Sequence, residues 1–524
     1  MALAMETEPL TVPKHRPLAR PVLLFVGLTA ASLALLILSS MLSEASLRPI
    51  TDPHDWLAGL DLAAANDILS NAAQVVAAVL AVAVTVVAIV VELAATRYSH
   101  EITRLFLEDP INLGVLGLFV LTTVLCVWTN TVLDVSGPDA LMPQAGFAIT
   151  LALVTFSMLL LVPYIYFVFA FLSPISVIER ICRDAYRVIL QARGSNIAAS
   201  QHKAQEAIDE LQDVARSAIQ QGDRGISMAA VEALANLLFD YVRARERLPE
   251  GWFDVTESVA NDPDFIALAP ESMAEVRSQG IWLERKILRR YNSLVGQAAG
   301  QSRDVAYLIG IKTQRVLIEL GPVHPHLMEL ALRSFNSYLR STINARDPRT
   351  AYYLMNLYRG AASELLRKGL NRRVIEIAGY LSEYGQLAHK MGISFLLETA
   401  ASDMAELIED ADSEESPVVD TLIGTLLELD QEIKEEGQEE SLLGVRRAQI
   451  QLATFFLQKG EQARAERIIQ DLRQERLERL ERLRTALLTD EREQFWELTD
   501  RGANFAYLKP DRRPYLEPLF EALR

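Results

Sequence analysis

The side chains that come nearest to a metal-binding pattern are His324 and His326, astride a proline in GPVHPHLMEL. A structural zinc takes four protein ligands and a catalytic zinc three plus water. Neither a cysteine nor a defined carboxylate accompanies this pair, so it reads as a turn. The run from 406 to 440 holds fourteen acidic residues and one base, Lys434. It has the charge to collect divalent cations but lacks the Asp-x-Asp-x-Asp-Gly loop of a calcium hand, and it reads as a solvated face with a flexible loop at DADSEESP. The sequence contains no GxxxxGKS or GxxxxGKT, no GxGxxG after a strand, and no GxSxG, HExxH or CxxC. The usual phosphate-cradling, nucleophilic and zinc constellations are thereby removed. No catalytic residue, metal or cofactor is expected, and the chain reads as a non-enzyme.

A different chemistry lies in a stripe of small residues, Ala73, Ala77, Ala81, Thr85 and Ala88, running at steps of four or three to Glu92. Val75, Val79, Val82, Val86 and Val90 form the opposite flank, suited to lipid. Small residues at this spacing let helices approach closely in a membrane, where packing replaces the hydrophobic effect as the driving force. The other use of such a face is to line an aqueous path at the centre of an oligomer. The pore-lining candidates are then Gln74, Ala77, Ala81, Thr85, Ala88 and Glu92, with Glu92 as the inner-mouth charge and Asp61 or Asp67 as outer-mouth charges.

The elements that would position these residues are four uncharged apolar runs, 21–42, 72–91, 111–133 and 145–172, none shorter than 20 residues. Each is long enough to cross a bilayer as helix. The first has 22 residues, beyond the 7–15 or so of a secretory signal core, so it reads as a retained span. The fourth contains Pro163 and is expected to kink there. Thr122, Thr123 and Asn130 in the third run read as interhelical hydrogen-bond partners. Lys and Arg mark cytoplasmic loops. Eight lie on one side (Lys14, Arg16, Arg20, Arg97, Arg104, Arg180, Arg183, Arg187) and Arg48 alone on the other. This predicts a multi-pass protein of the bacterial inner membrane with both termini cytoplasmic.

Residues 1–20 read as a disordered tail, and 173–194 as a connecting helix. From 195 to 524 apolar residues recur at helical spacing with Gly or Pro between them, predicting a cytoplasmic array of stacked helix pairs. In RRAQIQLATFFLQKGEQARAERIIQDL, the residues Leu452, Ala453, Phe456, Gly460, Ala465 and Ile469 resemble a tetratricopeptide hairpin. RQERLERLERLRTALL reads as an amphipathic helix packed on the array, and FAYLKPDRRPYLEPLFEAL as a docked end cap. Cys126 and Cys182 read as buried, reduced thiols. The net charge of −17 excludes a nucleic-acid partner, whose phosphates need a basic surface. The fold class is all-α, a four-helix transmembrane domain followed by a large solenoid-like cytoplasmic domain.

The stretch ELAATRYSHEITRLFLEDPINLGVLGLFVLTTVLCVW resembles a bacterial family of predicted membrane proteins bearing a domain of unknown function. Arg97, Tyr98, Arg104, Phe106, Asp109, Asn112, Leu116, Gly117, Phe119, Val120 and Cys126 fall in the order of that family's pattern. The resemblance covers about residues 20–180. It implies a four-span topology and carries no assigned activity with it, and the helical region after it is longer than the family's cytoplasmic part. The function expected is a homo-oligomeric, cation-favouring ion channel in the lipid bilayer, with the array as assembly and gating domain. The alternative is a membrane-anchored scaffold or sensor whose array binds a partner protein.

Overall fold

The computed structural model describes residues 62–97, 103, 106–135, 144–429, 442–494, 501–502 and 504–524. The first apolar run, the N-terminal tail, Asp61, Tyr98, Arg104 and the acidic residues 430–440 lie outside the described residues. Among the described residues every regular element is a helix. The chain divides into two compact units, 1–177 and 178–524.

The first unit contains α1 (Leu62–Arg97), α2 (Pro110–Val135) and α3 (Gln144–Phe171). They contain the second, third and fourth apolar runs, save Leu172 at the end of the fourth, and α3 continues through Pro163. α2 buries Asn112, Val115, Phe119, Thr122 and Cys126, at alternating steps of three and four. α3 answers with Phe147, Thr150, Ser157, Tyr164, Val168 and Phe171. Such a seam is the heptad-like packing of near-parallel helices. Polar pairs are set into it. Thr122 and Ser157 hydroxyls meet at 3.0 Å, Thr129 and Thr150 at 3.2 Å, and Tyr164 OH donates to Asn112 Oδ1 at 2.7 Å. Asn112 Nδ2 in turn donates to the Phe106 carbonyl at 3.1 Å, pinning the turn that precedes α2. Thr123 bonds its own helix, at the Phe119 carbonyl. An interhelical hydrogen bond in a membrane is worth about 0.6 to 2 kcal/mol. Tyr164→Phe is therefore expected to cost about 1 kcal/mol, read as an earlier transition on titrating the reconstituted protein with a denaturing detergent.

By length and composition, four described helices suffice to cross a membrane: Ala63–Ala95, Pro110–Thr131, Gly146–Phe171 and Arg224–Arg247. The fourth is absent from the apolar runs of the sequence. Its mean hydropathy is 1.3 against 2.2 or more for the others, and 61% of it is buried against 28% or less. Its apolar side chains are covered by protein, which is the condition of a core helix.

The second unit continues α4 (Pro174–Gln191) into α5 (Ile197–Gln220) and α6 (Arg224–Ala244), then α7 (Pro270–Gln279), α8 (Trp282–Ala298) and α9 (Arg303–Arg315). There follow α10 (Pro325–Asn344), α11 (Pro348–Arg367), α12 (Asn371–Lys390), α13 (Ser394–Ser413) and α14 (Val419–Leu427). The chain ends with α15 (Leu443–Lys459), α16 (Gln462–Leu472), α17 (Leu477–Thr489) and α18 (Leu516–Leu523). From α8 to α13 each helix packs on its neighbour and on the helix two further on, the arrangement of stacked antiparallel hairpins. α15 and α16 form the helix-turn-helix read in the sequence. Leu452, Ala453, Phe456, Ala465 and Ile469 are buried, and Gly460 turns the chain with φ 82°, a conformation open chiefly to glycine.

Close approach is built into this stack. A Cβ at Gly385 of α12 would sit 2.8 Å from the Ala400 Cβ of α13. Gly385→Ala is expected to destabilise by about 1 kcal/mol, since overpacking of roughly 1–3 kcal/mol outweighs the gain of up to about 1 kcal/mol in helix propensity. Chemical denaturation followed by circular dichroism checks it.

Ionic centres lie inside the unit, among them those of Lys286 and Asp347. Lys286 on α8 has no exposed side-chain surface, and its Nζ donates to Asp262 at 2.7 Å, Asp209 at 3.1 Å and Asp264 at 3.3 Å. Arg290 and Arg289 complete the cluster on Asp264 at 2.7 and 3.1 Å. Asp347, 4% exposed, caps α11 by accepting from Thr350 N at 3.1 Å and Thr350 Oγ1 at 2.6 Å. It also takes the Gly300 amide at 2.8 Å, tying the turn after α8 to the start of α11.

Candidate functional site

In the membrane unit, Gln74, Ala77, Ala81, Thr85, Ala88 and Glu92 are all exposed on α1, and so is Asp67. Val75, Val82 and Val86 on the other flank are exposed as well. The face that packs lies between the two and carries Leu69, Val76, Val91 and Ala95. Against the described helices the stripe is an outer surface, and this apolar face makes the contact with them. In one chain the six candidates surround no lumen among the described residues. Two apolar cavities flank α1. One of about 380 Å³ lies between Val79, Val82, Val86 on α1 and Leu161, Ile165, Phe169 on α3. The other, about 430 Å³, is lined by Val87, Val91, Glu92, Thr103, Asn112 and Tyr164. Ala88 and Glu92 thus border a pocket that is mostly hydrocarbon.

His324 precedes the first turn of α10, and its ring lies 5.7 Å from that of His326. Burial and the nearby Arg245 charge pull the His326 pKa down to about 4, so the ring is neutral at pH 7. Among the described residues no group of three or more His, Cys, Asp or Glu is placed to hold a metal. Cys182 donates to the Ala233 carbonyl at 3.5 Å, and burial pushes its thiol up to about 11.

The acidic stretch departs from its sequence reading. Its first part is α13, and its carboxylates face arginines rather than water alone. Arg359 of α11 lies 3.7 Å from Asp403 and 3.3 Å from Glu406. Arg464 of α16 binds Asp412 at 2.8 Å. Burial raises the Glu406 pKa despite Arg359. The DADSEESP segment closes as a turn, with Glu415 at φ 51° and the Ser416 amide on the Ala411 carbonyl at 2.9 Å. The arginines lie tens of residues away in sequence, which a local charge count does not see.

This face of α13, with α11 and α15, forms a groove in which the chain's own C-terminal segment is seated. Arg501 makes a two-pronged pair with Asp403, and both side chains are almost fully buried. Its guanidinium carbon stands 4.6 Å above the Tyr352 ring of α11, a stacking that favours a desolvated cation. Burial lowers the Arg501 pKa, but the Asp403 charge and its hydrogen bond outweigh it and hold the pKa above the usual range. Phe505 packs against Phe395 of α13 at 6.2 Å and Tyr352 at 6.3 Å. Gln451 of α15 donates through Nε2 to the backbone carbonyls of Phe505 at 3.1 Å and Tyr507 at 3.0 Å. Further on, Arg512 grips Glu409 with bonds of 2.5 and 2.7 Å and lies 4.8 Å from the Phe455 ring. Gln458 holds Asp511 at 2.9 Å. Two forked arginine–carboxylate pairs and a side-chain amide on main-chain carbonyls thus hold a segment that turns at 504–507 and again at 509–512. The sequence marks the tail as a docked cap but gives no sign of these pairings. The two arginines, eleven residues apart, were their only trace.

Residues 15–237 match the model of a family described as "Predicted membrane protein (DUF2254)". The match includes α1 to α3 and continues through α4, α5 and the first two thirds of α6. The groove lies beyond it. No curated protein and no solved structure matches the chain.

Proposed function

We propose that the protein is a membrane-anchored recognition protein, whose helical array binds an arginine-bearing segment of a protein partner. The observation that supports this is the groove of α11, α13 and α15, where Gln451 holds two main-chain carbonyls between two buried arginine clasps. Helical arrays of this kind present extended surfaces to peptides, with the tetratricopeptide-like α15–α16 hairpin as one wall. The excess of basic residues in the loops on one side supports an array on the cytoplasmic side of a bacterial inner membrane. Phe395, 48% exposed at the groove's edge, is the place for a photo-crosslinker. In growing cells Phe395→benzoylphenylalanine is expected to capture a protein through an arginine-containing peptide, and Asp403→Asn with Glu409→Gln to abolish the capture. Adducts that persist without those carboxylates, or that form only with the chain's own tail, would sink the reading.

A second reading, the homo-oligomeric cation-favouring channel, rests on one observation. Gln74, Ala77, Ala81, Thr85, Ala88 and Glu92 are exposed along one side of α1, where neighbouring copies could enclose a path between them. Purified protein that is monomeric in mild detergent and passes no current in planar bilayers would remove it.

A further inference from the structure

We infer that Arg501 and residues 504–512 are a built-in competitor, the chain's own stand-in for the partner segment, so that the groove is self-occupied until a better ligand displaces it. The inference rests on the recognition reading and adds the partner's chemistry: a segment with an arginine, an aromatic ring four residues later and a second arginine eleven residues after the first, turning where the chain's own segment turns, at 504–507 and 509–512.

The segment is held as a ligand is held. Its contacts with the groove are mainly arginine–carboxylate clasps and hydrogen bonds to main chain, and Phe505 and Tyr507 are only partly buried. Leu508 and Arg512 are its fully buried members. Desolvating an ion pair offsets most of its Coulombic gain, so contacts of this kind can open without large net cost when water reaches both partners. The walls do not depend on the segment for their own cores. α15 and α16 bury Leu452, Phe456, Ala465 and Ile469, and α13 buries Leu397, Met404 and Ile408. The segment is also tethered just beyond its C-terminal end. Arg513 donates to the Asp490 carbonyl at 2.8 Å, and α18 is fastened where Arg473 donates to the Ala522 carbonyl at 2.8 Å. Tethering makes its local concentration high, so an incoming peptide binds with an affinity reduced by the fraction of grooves that are free.

The groove also selects by charge. Asp403, Glu406 and Glu409 line one helix face at steps of three, beside the rings of Tyr352, Phe395 and Phe455. Arg359 answers Asp403 and Glu406 at 3.7 and 3.3 Å, and Arg501 and Arg512 supply the remaining positive charge. A lysine presents a point charge and not the planar fork that both carboxylates receive here, so arginine is the required anchor.

The test uses a fluorescein-labelled synthetic peptide of residues 500–513 and the full-length protein in nanodiscs. The Arg501→Ala/Arg512→Ala protein, with its own segment released, is expected to bind the peptide at least about tenfold more tightly than the wild type. A peptide with alanine in place of both arginines is expected not to bind. If the released variant keeps its circular dichroism spectrum yet binds no better than wild type, or binds both peptides alike, the inference is overturned. A second arm needs no variant. Excess peptide added to the wild-type protein is expected to speed hydrogen exchange at the amides of 504–508, and unchanged exchange at saturating peptide would equally overturn the inference. Either failure leaves the crosslinking of another partner in cells as a separate outcome, so the two ideas fall independently.

Discussion

Lys286→Met is expected to be the most damaging single substitution in the helical array, lowering its stability by about 3–5 kcal/mol, the usual cost of removing one partner from a buried ionic group. Methionine fits the space of the lysine stem, so the loss is one of charge. Asp262, 7% exposed, keeps the Asp264 backbone amide at 2.9 Å and the Gln205 amide at 3.2 Å once the ammonium 2.7 Å away is gone, but no cation. Asp264 retains Arg290 and Arg289, so the damage concentrates on Asp262. The measurement is urea denaturation followed by circular dichroism, in which the midpoint falls while the slope with denaturant stays constant. A second substitution decides whether electrostatics is the cause. Lys286→Met with Asp262→Asn is expected to recover about 1–3 kcal/mol, the coupling typical of directly paired groups. If the double variant were no more stable than the single one, the cluster would matter for packing and not for charge.

What the sequence disclosed and what it withheld follow from how far each signal reaches. Three of the four apolar runs fall in the described residues and return as α1, α2 and α3, because hydropathy over twenty residues is a local property. The hairpin around Gly460 was legible for the same reason. The packing face of α1 was not. Val, Ala and Leu surround that helix, and within a bilayer no polarity contrast distinguishes the side that meets protein from the side that meets lipid. Both faces singled out in the sequence are exposed, and a third, through Val76 and Val91, makes the contact. The acidic stretch was misread in the opposite way. Its composition is local but its meaning is not, since the partners of Glu409 and Asp412 are Arg512 and Arg464. The core helix at 224–247 passes unremarked in the sequence, its charged ends and Glu232 masking an apolar interior that pairs Glu232 with Lys312 at 2.6 Å.

Asp347→Ala is the second large loss, expected at about 3 kcal/mol from a lost helix cap together with charge-assisted hydrogen bonds. The aspartate closes the first turn of α11 through Thr350 and receives the Gly300 amide, so its removal frees two elements at once. It also fixes where α11 begins. Tyr352 and Arg359, on the second and fourth turns of that helix, are two of the residues that meet Asp403 and Arg501, so a frayed start would loosen the groove as well as the fold. The pH dependence separates cap from charge. Burial alone would raise the Asp347 carboxyl pKa, but the bonds from Thr350 and Gly300 and the charge of Arg303 outweigh it and hold the pKa below the usual value of 3.8. A carboxylate with a depressed folded-state pKa contributes stability that is fully present above the unfolded value and lost as the pH falls through the folded one. The wild-type array should therefore lose stability on acidification below about pH 4, in part through this group. Asp347→Asn keeps a competent cap, since asparagine serves that position as well as aspartate, and should cost about 1 kcal/mol less than alanine at pH 7 while showing a shallower loss below pH 4. An asparagine variant with the acid dependence of the wild type would place that dependence on other carboxylates and leave Asp347 a cap alone.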